Sequence, residues 1–133
     1  MLLEIVTPEG KAFSDDVSGV VLPGALGEMG ILPNHAALVS TLTAGELRYT
    51  KDSKTHELAI GAGFAEITGD RVNVLTEMAV RDSDIDESAV QAALDRAQAR
   101  LKEDVIPEET AAIEAAIANS MAQLHLKRKR RAI

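Results

Sequence analysis

Residues 23–36 contain the residue types that could do chemistry, because they combine glycines at every third position with one carboxylate and one imidazole. The glycines could form a phosphate-binding loop, but the Lys-Ser/Thr pair of a Walker loop is missing. Glu28 and His35 could form an acid–base pair or bind a metal, but a third ligand is missing, since His56 and His125 lie in unrelated segments. We therefore interpret this segment as a shaped surface loop, and we predict no catalytic residue and no metal site.

The composition excludes several classes of protein. The chain has 133 residues, of which 46% are hydrophobic and 26% charged, as expected for one ordinary globular domain or two small ones. It has no cysteine, which excludes disulfides and thiolate chemistry, and its 2% of aromatic residues cannot form a stacking platform for nucleic acid. No apolar run approaches the roughly 18–20 residues of a transmembrane helix. The first residues resemble neither a signal peptide nor a transit peptide, so we expect the mature chain to start at residue 1 inside a cell or organelle.

Charge is distributed unevenly along the chain, whose formal net charge is −7. Twelve acidic and six basic residues lie in residues 1–83, whereas nine acidic and eight basic residues lie in residues 84–133. Five of those eight basic residues form the run Lys127–Arg131. An acidic body that ends in a basic cluster disfavours nucleic-acid binding, which needs a broad positive face. It favours docking of the basic cluster on an acidic protein surface.

Residues 1–83 have the pattern of short β-strands, several of which alternate polar and apolar positions. Gly69 and Asp70 join two alternating segments, as in a tight hairpin. Many short strands with no helix between them predict an antiparallel β-sandwich or flattened barrel. The clearest predicted strands are Val17–Leu22, Gly45–Thr50, His56–Ile60, Phe64–Thr68 and Arg71–Leu75.

Residues 84–133 contain no glycine, one proline and twelve alanines. Apolar positions spaced by three and four predict two helices of roughly 20 and 22 residues, which form an antiparallel hairpin because their connection is short. Ser83 and Asp86 resemble a capping box at the first helix, and Pro107 is placed for the first turn of the second. The fold class is therefore α+β. The predicted buried stripes are Ile85, Ala89, Val90, Ala93, Leu94, Ala97 and Leu101 on the first helix, and Ile113, Ile117, Ser120, Met121 and Leu124 on the second.

Alanine dominates both stripes. A buried methyl group contributes less than about 1 kcal/mol, compared with roughly 1.5–3 kcal/mol for a Leu or Ile side chain. We therefore predict that the helical hairpin packs closely but is held weakly, so that it can lift off and extend.

Several motifs resemble one protein family. The sequence Gly-Glu-Met-Gly-Ile-Leu-Pro-Asn-His-Ala at residues 27–36 closely resembles the signature of the epsilon subunit of F-type ATP synthases. Thr7–Gly10 resembles the family's first turn, Gly45–Arg48 its mid-sandwich strand, and Asp84–Glu87 the opening of its helical hairpin. Residues 61–67 resemble the segment usually written Gly-Gly-Phe-Ala-Glu-Val, with alanine in place of one glycine. The likeness extends through most of the chain.

This resemblance implies a non-catalytic subunit of the rotating central stalk, whose sandwich docks between the gamma subunit and the membrane-embedded c-ring. A carboxylate and an imidazole can bond to polar or basic loops of the ring without burying an unpaired charge. From the residues alone, the alternative for Glu28 is a solvated surface acid, and the alternative for His35 is a hydrogen bond that stabilises its own turn. The residues expected to meet the c-ring or gamma are Glu28, Met29, Gly30, Ile31, Leu32 and His35.

The resemblance also implies a regulatory hairpin, with a compact form folded on the sandwich and an extended form that inhibits ATP hydrolysis. In the extended form, basic residues face acidic loops of the beta subunits, with the alpha subunits as a further contact. Exposed ion pairs contribute only about 0–1 kcal/mol each, so several must act together. A charged solvent face with a frayed tail is the alternative interpretation. The expected contact residues are Arg96, Arg100, Lys127, Arg128, Lys129, Arg130 and Arg131.

Some bacterial members of the family bind ATP in the compact hairpin, through a motif of Ile/Leu-Asp, two variable residues and Arg-Ala. Asp86 and Arg96 match positions of that site, but Ala89 replaces its arginine and Val80 its upstream acidic residue. The lost arginine removes a charge-assisted donor worth about 1.5–3 kcal/mol. We therefore expect no cofactor, and we do not expect the hairpin to sense ATP.

The expected partners are the gamma subunit, the c-ring and the beta subunits, with no nucleic acid and with membrane association only through the complex. The expected location is the cytoplasmic face of a bacterial inner membrane or, alternatively, the stromal side of a plastid thylakoid. A free-standing adaptor that binds another acidic protein would share the physical pattern but not the motifs. An enzyme is disfavoured, because the chain lacks a nucleophile elbow and metal-ligand spacing.

Overall fold

The computed structural model describes the backbone of residues 1–131 and the side chains of residues 1–129. Within that range, ten strands precede two α-helices, as the change in composition near residue 84 predicted. The elements are β1 Leu2–Thr7, β2 Gly10–Asp16, β3 Gly19–Gly24, β4 Gly27–Ile31, β5 His35–Leu42, β6 Gly45–Lys51, β7 Lys54–Ile60, β8 Gly63–Gly69, β9 Arg71–Thr76, β10 Ala79–Arg81, α1 Glu87–Leu101 and α2 Pro107–Arg131.

The strands form a β-sandwich, which confirms the predicted fold class. Their hydrogen-bonded order is β10–β7–β6–β3–β5–β8–β9–β1–β2. β4 lies outside this order and pairs with β3. β3 and β5 share only the pair Gly24–Leu42, so the path divides there into two halves. Both halves contribute side chains to one main core, such as Leu47 from one and Val74 from the other. Every pair is antiparallel except β1 with β9, which are distant in sequence and need no tight turn between them.

All five strands that the sequence predicted are present, with bounds shifted by one or two residues. The hairpin turn at Gly69 and Asp70 is also confirmed, since Thr68 pairs with Arg71 across it. The sequence did not identify β1, β2, β4, β5 and β10. β2 and β5 are largely exposed and do not alternate regularly between apolar and polar residues. Two of the five residues of β4 are glycine. The local sequence pattern therefore gave little indication of these three strands.

The helices differ from the prediction at their ends. A 3₁₀ turn spans Asp82–Asp84, and α1 begins only at Glu87, where the Asp86 carboxylate accepts a hydrogen bond from the Ala89 amide at 3.1 Å. The capping box predicted for Ser83 is therefore wrong, because that residue belongs to the 3₁₀ turn. α1 has 15 residues and α2 has 25, so the first helix is shorter and the second longer than expected. The predicted domain division after Ser83 lies within this turn and stays a prediction.

The helices are antiparallel, and α2 packs on the outer face of β7 and β6. Leu126 of α2, Ala59 of β7 and Ile85 form a small second core that is separate from the main one. At Gly61 a Cβ atom would lie 2.7 Å from Oδ1 of Asn119, so the missing side chain lets α2 approach the sandwich closely. Most residues of the two predicted helix stripes are buried or half-buried. Ala89 and Met121 are exposed, contrary to expectation, because the contact face of each helix is narrower than predicted.

Candidate protein-interaction surfaces

Residues 27–35 are not the surface loop that the sequence suggested, because residues 27–31 form strand β4, paired with β3. We call β3, β4 and their turn the signature hairpin. Its two-residue turn lies between Gly24 and Gly27, and the φ of +129° at Gly27 is one that side-chain-bearing residues rarely adopt. Leu26 at the tip is fully exposed. The glycines therefore shape a projecting turn, rather than a phosphate site.

The residues expected to meet the c-ring differ in exposure. The side chain of Glu28 is 62% exposed, and Leu32 is also exposed. Met29 is partly buried against the main core. Ile31 is 1% exposed and lies within that core, so its side chain cannot contact a partner, and its role is packing. Strand alternation explains this division, since successive side chains of β4 point to opposite faces.

Glu28 has a partner that the sequence did not indicate. Its Oε2 lies 3.0 Å from Nη1 of Arg48 on β6, on the other side of β3. This hydrogen bond, more than any other contact, raises the pKa of Arg48 above its ordinary value. His35 instead contacts its own turn, with Nδ1 2.7 Å from the carbonyl oxygen of Ala36. Glu28 and His35 thus have different partners, and the structure does not bring them together as an acid–base pair.

The basic cluster of α2 lies against the molecule's own acceptors. Nζ of Lys127 donates to the carbonyl oxygen of Asp82 at 3.3 Å. Arg128 donates to Oε1 of Glu87 at 2.8 Å and to Oε1 of Gln91 at 2.7 Å. These contacts hold the hairpin in a compact arrangement. The side chains of Arg130 and Arg131, also predicted to contact a partner, lie outside the described residues.

Lys129 contacts two carboxylates on the sandwich. Its Nζ lies 3.0 Å from Oε2 of Glu46 and 3.7 Å from Oε2 of Glu57, whose side chains are only 12% and 9% exposed. Burial raises the pKa of Glu46, but hydrogen bonds with Glu57 and Lys129, together with the charges of Lys129 and Arg48, outweigh burial and lower this pKa below its ordinary value. The contact stabilises the charged form of Glu46, and Glu46 in turn anchors α2.

The remaining predicted basic residues lie elsewhere. Arg100 pairs with Glu103 at 2.6 Å and with Glu109 at 3.3 Å, at the end of the hairpin where α1 meets α2. Arg96 is exposed along α1. The expected basic residues therefore do not form one cluster. Asp86, expected to match an ATP site, caps α1 by accepting from the backbone amide of Ala89, and it lies ten positions before Arg96 in the sequence.

A second exposed surface lies on the other half of the sandwich. Phe64 of β8 pairs with Leu75 of β9, which pairs in turn with Val6 of β1, so the three side chains form one row across three strands. Their exposed fractions are 57%, 49% and 38%. A contiguous exposed apolar row of this kind is typical of protein contact surfaces. We call it the apolar row, and the sequence did not reveal it, because strand register decides which residues align.

Two classes of feature are not found in residues 1–131. That part of the chain contains no helix long and apolar enough to cross a membrane. It also contains no group of three or more histidine or acidic side chains arranged to hold a metal ion.

Comparison with known proteins identifies the family. The model of the ATP synthase Delta/Epsilon chain β-sandwich domain matches residues 1–82. The ATP synthase epsilon chain of Lawsonia intracellularis is 50% identical over 99 residues, 74% of each chain, and that of Carboxydothermus hydrogenoformans is 48% identical over the same share. A chain of the Euglena gracilis mitochondrial ATP synthase has the same fold, with a TM-score of 0.74 and 23% identity over 94% of this chain and 79% of that one. The chain therefore belongs to the ATP synthase Delta/Epsilon family, as a non-catalytic epsilon subunit.

Proposed function

We propose that this subunit couples gamma to the c-ring through its sandwich and restrains ATP hydrolysis through its helical hairpin. The observation that carries the proposal is the docking of the basic end of α2 on acceptors of the sandwich and α1. Cations held by such contacts reach a second acidic surface only after release. The compact arrangement is then the non-inhibiting form, and release of α2 produces the inhibiting one.

The signature hairpin is the proposed contact with the c-ring. It projects a fully exposed Leu26 and an exposed Glu28, and Leu32 is exposed just after β4 ends. An apolar tip flanked by a carboxylate provides both burial and charge recognition at a protein interface. Met29, Gly30 and His35 support or border this surface, and Ile31 anchors it from the core.

The apolar row is the proposed contact with gamma. It lies on the half of the sandwich that does not carry α2, so gamma can bind there while the hairpin is docked. A shallow cavity next to the row is lined by Pro8 and Phe64, which offers a pocket for an apolar side chain. Phe64→Asp should weaken binding to gamma. Ile106→Asp changes an equally exposed apolar residue in the connection between α1 and α2 and serves as the matched control.

Two variants test the inhibitory role with opposite signs. Leu126→Ala removes the buried anchor of α2 but keeps its cations, so it should favour release and lower ATP hydrolysis by the reconstituted complex. Replacing Lys127, Arg128 and Lys129 with glutamine also weakens docking, but it removes the cations that would contact the beta subunits, so hydrolysis should rise. Exposed Met121→Ala is the control. If both variants changed hydrolysis in the same direction, the proposal would be wrong.

ATP is not the proposed ligand of the hairpin. Asp86 is engaged as a helix cap, Ala89 offers no charged donor, and Arg128 already contacts Glu87 and Gln91. Calorimetry on the full chain should detect no tight ATP binding, and tight binding would contradict this proposal. The bacterial relatives support a location on the cytoplasmic face of a bacterial inner membrane, reached through the complex.

A further inference from the structure

One row of charged side chains connects the signature hairpin to the end of α2. Gly30 of β4 and Arg48 of β6 both pair with Val21 of β3, and Glu57 of β7 pairs with Arg48. Residues paired across strands share a face, as do residues two apart on one strand. Glu28 and Glu46 therefore lie on this same face, which α2 covers at β7.

The charges along this row are in sequential contact. Oε2 of Glu28 lies 3.0 Å from Nη1 of Arg48, and the same Nη1 lies 3.7 Å from Oε1 of Glu46. Both carboxylate oxygens of Glu46 then accept hydrogen bonds from Lys129, at 3.1 and 3.0 Å. Charges alternate in sign along the row. Arg48 and Glu46, the two inner residues, each contact two neighbours of opposite charge.

We propose that Glu28, Arg48, Glu46 and Lys129 form an ionic relay through which a contact at the signature hairpin weakens the docking of α2. The inference rests on the proposed function, because it assumes that Glu28 is the residue that a cation of the c-ring engages. It adds a specific route from that contact to the helix, together with the sign of its effect.

The sign follows from competition for Glu46. When a partner cation engages Glu28, Arg48 loses its nearest carboxylate and moves towards Glu46, 3.7 Å away. The two cations then compete for Glu46, and Lys129 is held less strongly by it. By reciprocity, release of Lys129 draws Arg48 to Glu46 and leaves Glu28 more accessible to the partner. Contact at the signature hairpin and docking of α2 therefore oppose each other.

The expected size of the effect is modest. Glu28 is exposed and screened by solvent, so the coupling lies at or below the low end of the usual range for linked sites, about two- to fivefold in the docking equilibrium. Added salt should reduce it further, since ions screen the exposed part of the relay.

Amide hydrogen exchange of residues 120–129 in the isolated full-length chain tests the relay without any c-ring. Glu28→Gln mimics loss of the Glu28 charge and should raise exchange about two- to fivefold, less so in high salt. Glu66→Gln, an exposed carboxylate on β8, is the matched control and should have no effect. In the Glu28→Gln/Arg48→Met double variant, exchange should equal that of Arg48→Met alone, because no cation remains to transmit the change.

Unchanged exchange in Glu28→Gln would overturn the relay, and so would an effect that persists without Arg48. Neither result would bear on whether the signature hairpin contacts the c-ring, because that contact is measured separately in the assembled complex. The opposite combination would contradict the proposed contact instead. In that case, amide exchange would respond to Glu28→Gln as expected, but charge reversal at Glu28 would leave proton pumping by the complex unchanged.

Discussion

Nζ of Lys129 lies 3.0 Å from Oε2 of Glu46, although the two residues are 83 positions apart in the sequence. Only 12% of the Glu46 side chain is exposed, and it lies on the strand against which α2 packs. This ion pair is therefore better shielded from solvent than an ordinary surface pair. It joins the end of the hairpin to the sandwich beside Leu126, the fully buried apolar anchor of α2.

Lys129→Met should loosen the end of α2 while keeping most of the aliphatic stem. We expect a loss of about 0.5–1 kcal/mol of docking free energy, or two- to fivefold faster amide exchange in residues 120–129. Lys102→Met changes an exposed lysine at the end of α1 and should leave this exchange unaltered. Equal effects of the two variants would show that net charge matters, rather than the contact with Glu46.

Hairpin docking should weaken in acid. The pKa of Glu46 is lowered in the folded protein from its ordinary value of 4.5, so its contribution is fully present above that pH and disappears as pH falls through the folded pKa. Wild type should therefore melt at a higher Tm than Glu46→Gln at pH 7, and the two values should converge in acid. Thermal melts followed by circular dichroism between pH 3 and pH 7 measure this difference. A Tm gap that stays constant or widens in acid would contradict the assignment.

Thr76→Val should destabilise the sandwich. The Thr76 side chain is buried, and its hydroxyl donates to the carbonyl oxygen of Gly61 at 2.7 Å. Valine has a similar shape but no donor, so the variant leaves that acceptor without this hydrogen bond at a cost of about 1–3 kcal/mol. The measurement is the free energy of unfolding in urea. Thr43→Val removes only a long, exposed hydrogen bond of 3.4 Å to Pro23 and should be nearly neutral.

Glu28→Lys should reduce coupling in the assembled complex. In the proposed contact, the reversed charge would repel basic loops of the c-ring, and it also places two cations together at Arg48. We expect proton pumping per ATP hydrolysed to fall several-fold, while the sandwich stays folded. Glu114→Lys reverses an exposed charge in the first half of α2, outside the signature hairpin and the apolar row, and should pump normally. Unchanged pumping in Glu28→Lys would argue against the c-ring contact.

The sequence by itself determined the family, the fold class and the change from strands to helices near residue 84. Each of these depends on local information: motif residues, turn residues such as Gly69, and the three–four spacing of apolar residues in the helices. Local pattern also placed Pro107 correctly at the start of α2. It failed where the chain conformation depends on distant neighbours, as in β1, which pairs with β9 far along the chain.

The tertiary structure alone decided which side chains meet. Ile31 belongs to a surface motif in the sequence, yet strand alternation turns it into the main core. Arg48 gave no functional signal, yet the order of β4, β3 and β6 places it beside Glu28. The basic run was visible from the start, but not its contacts with Glu46 and Glu57, because ion pairs between distant segments depend on register and on where a helix packs.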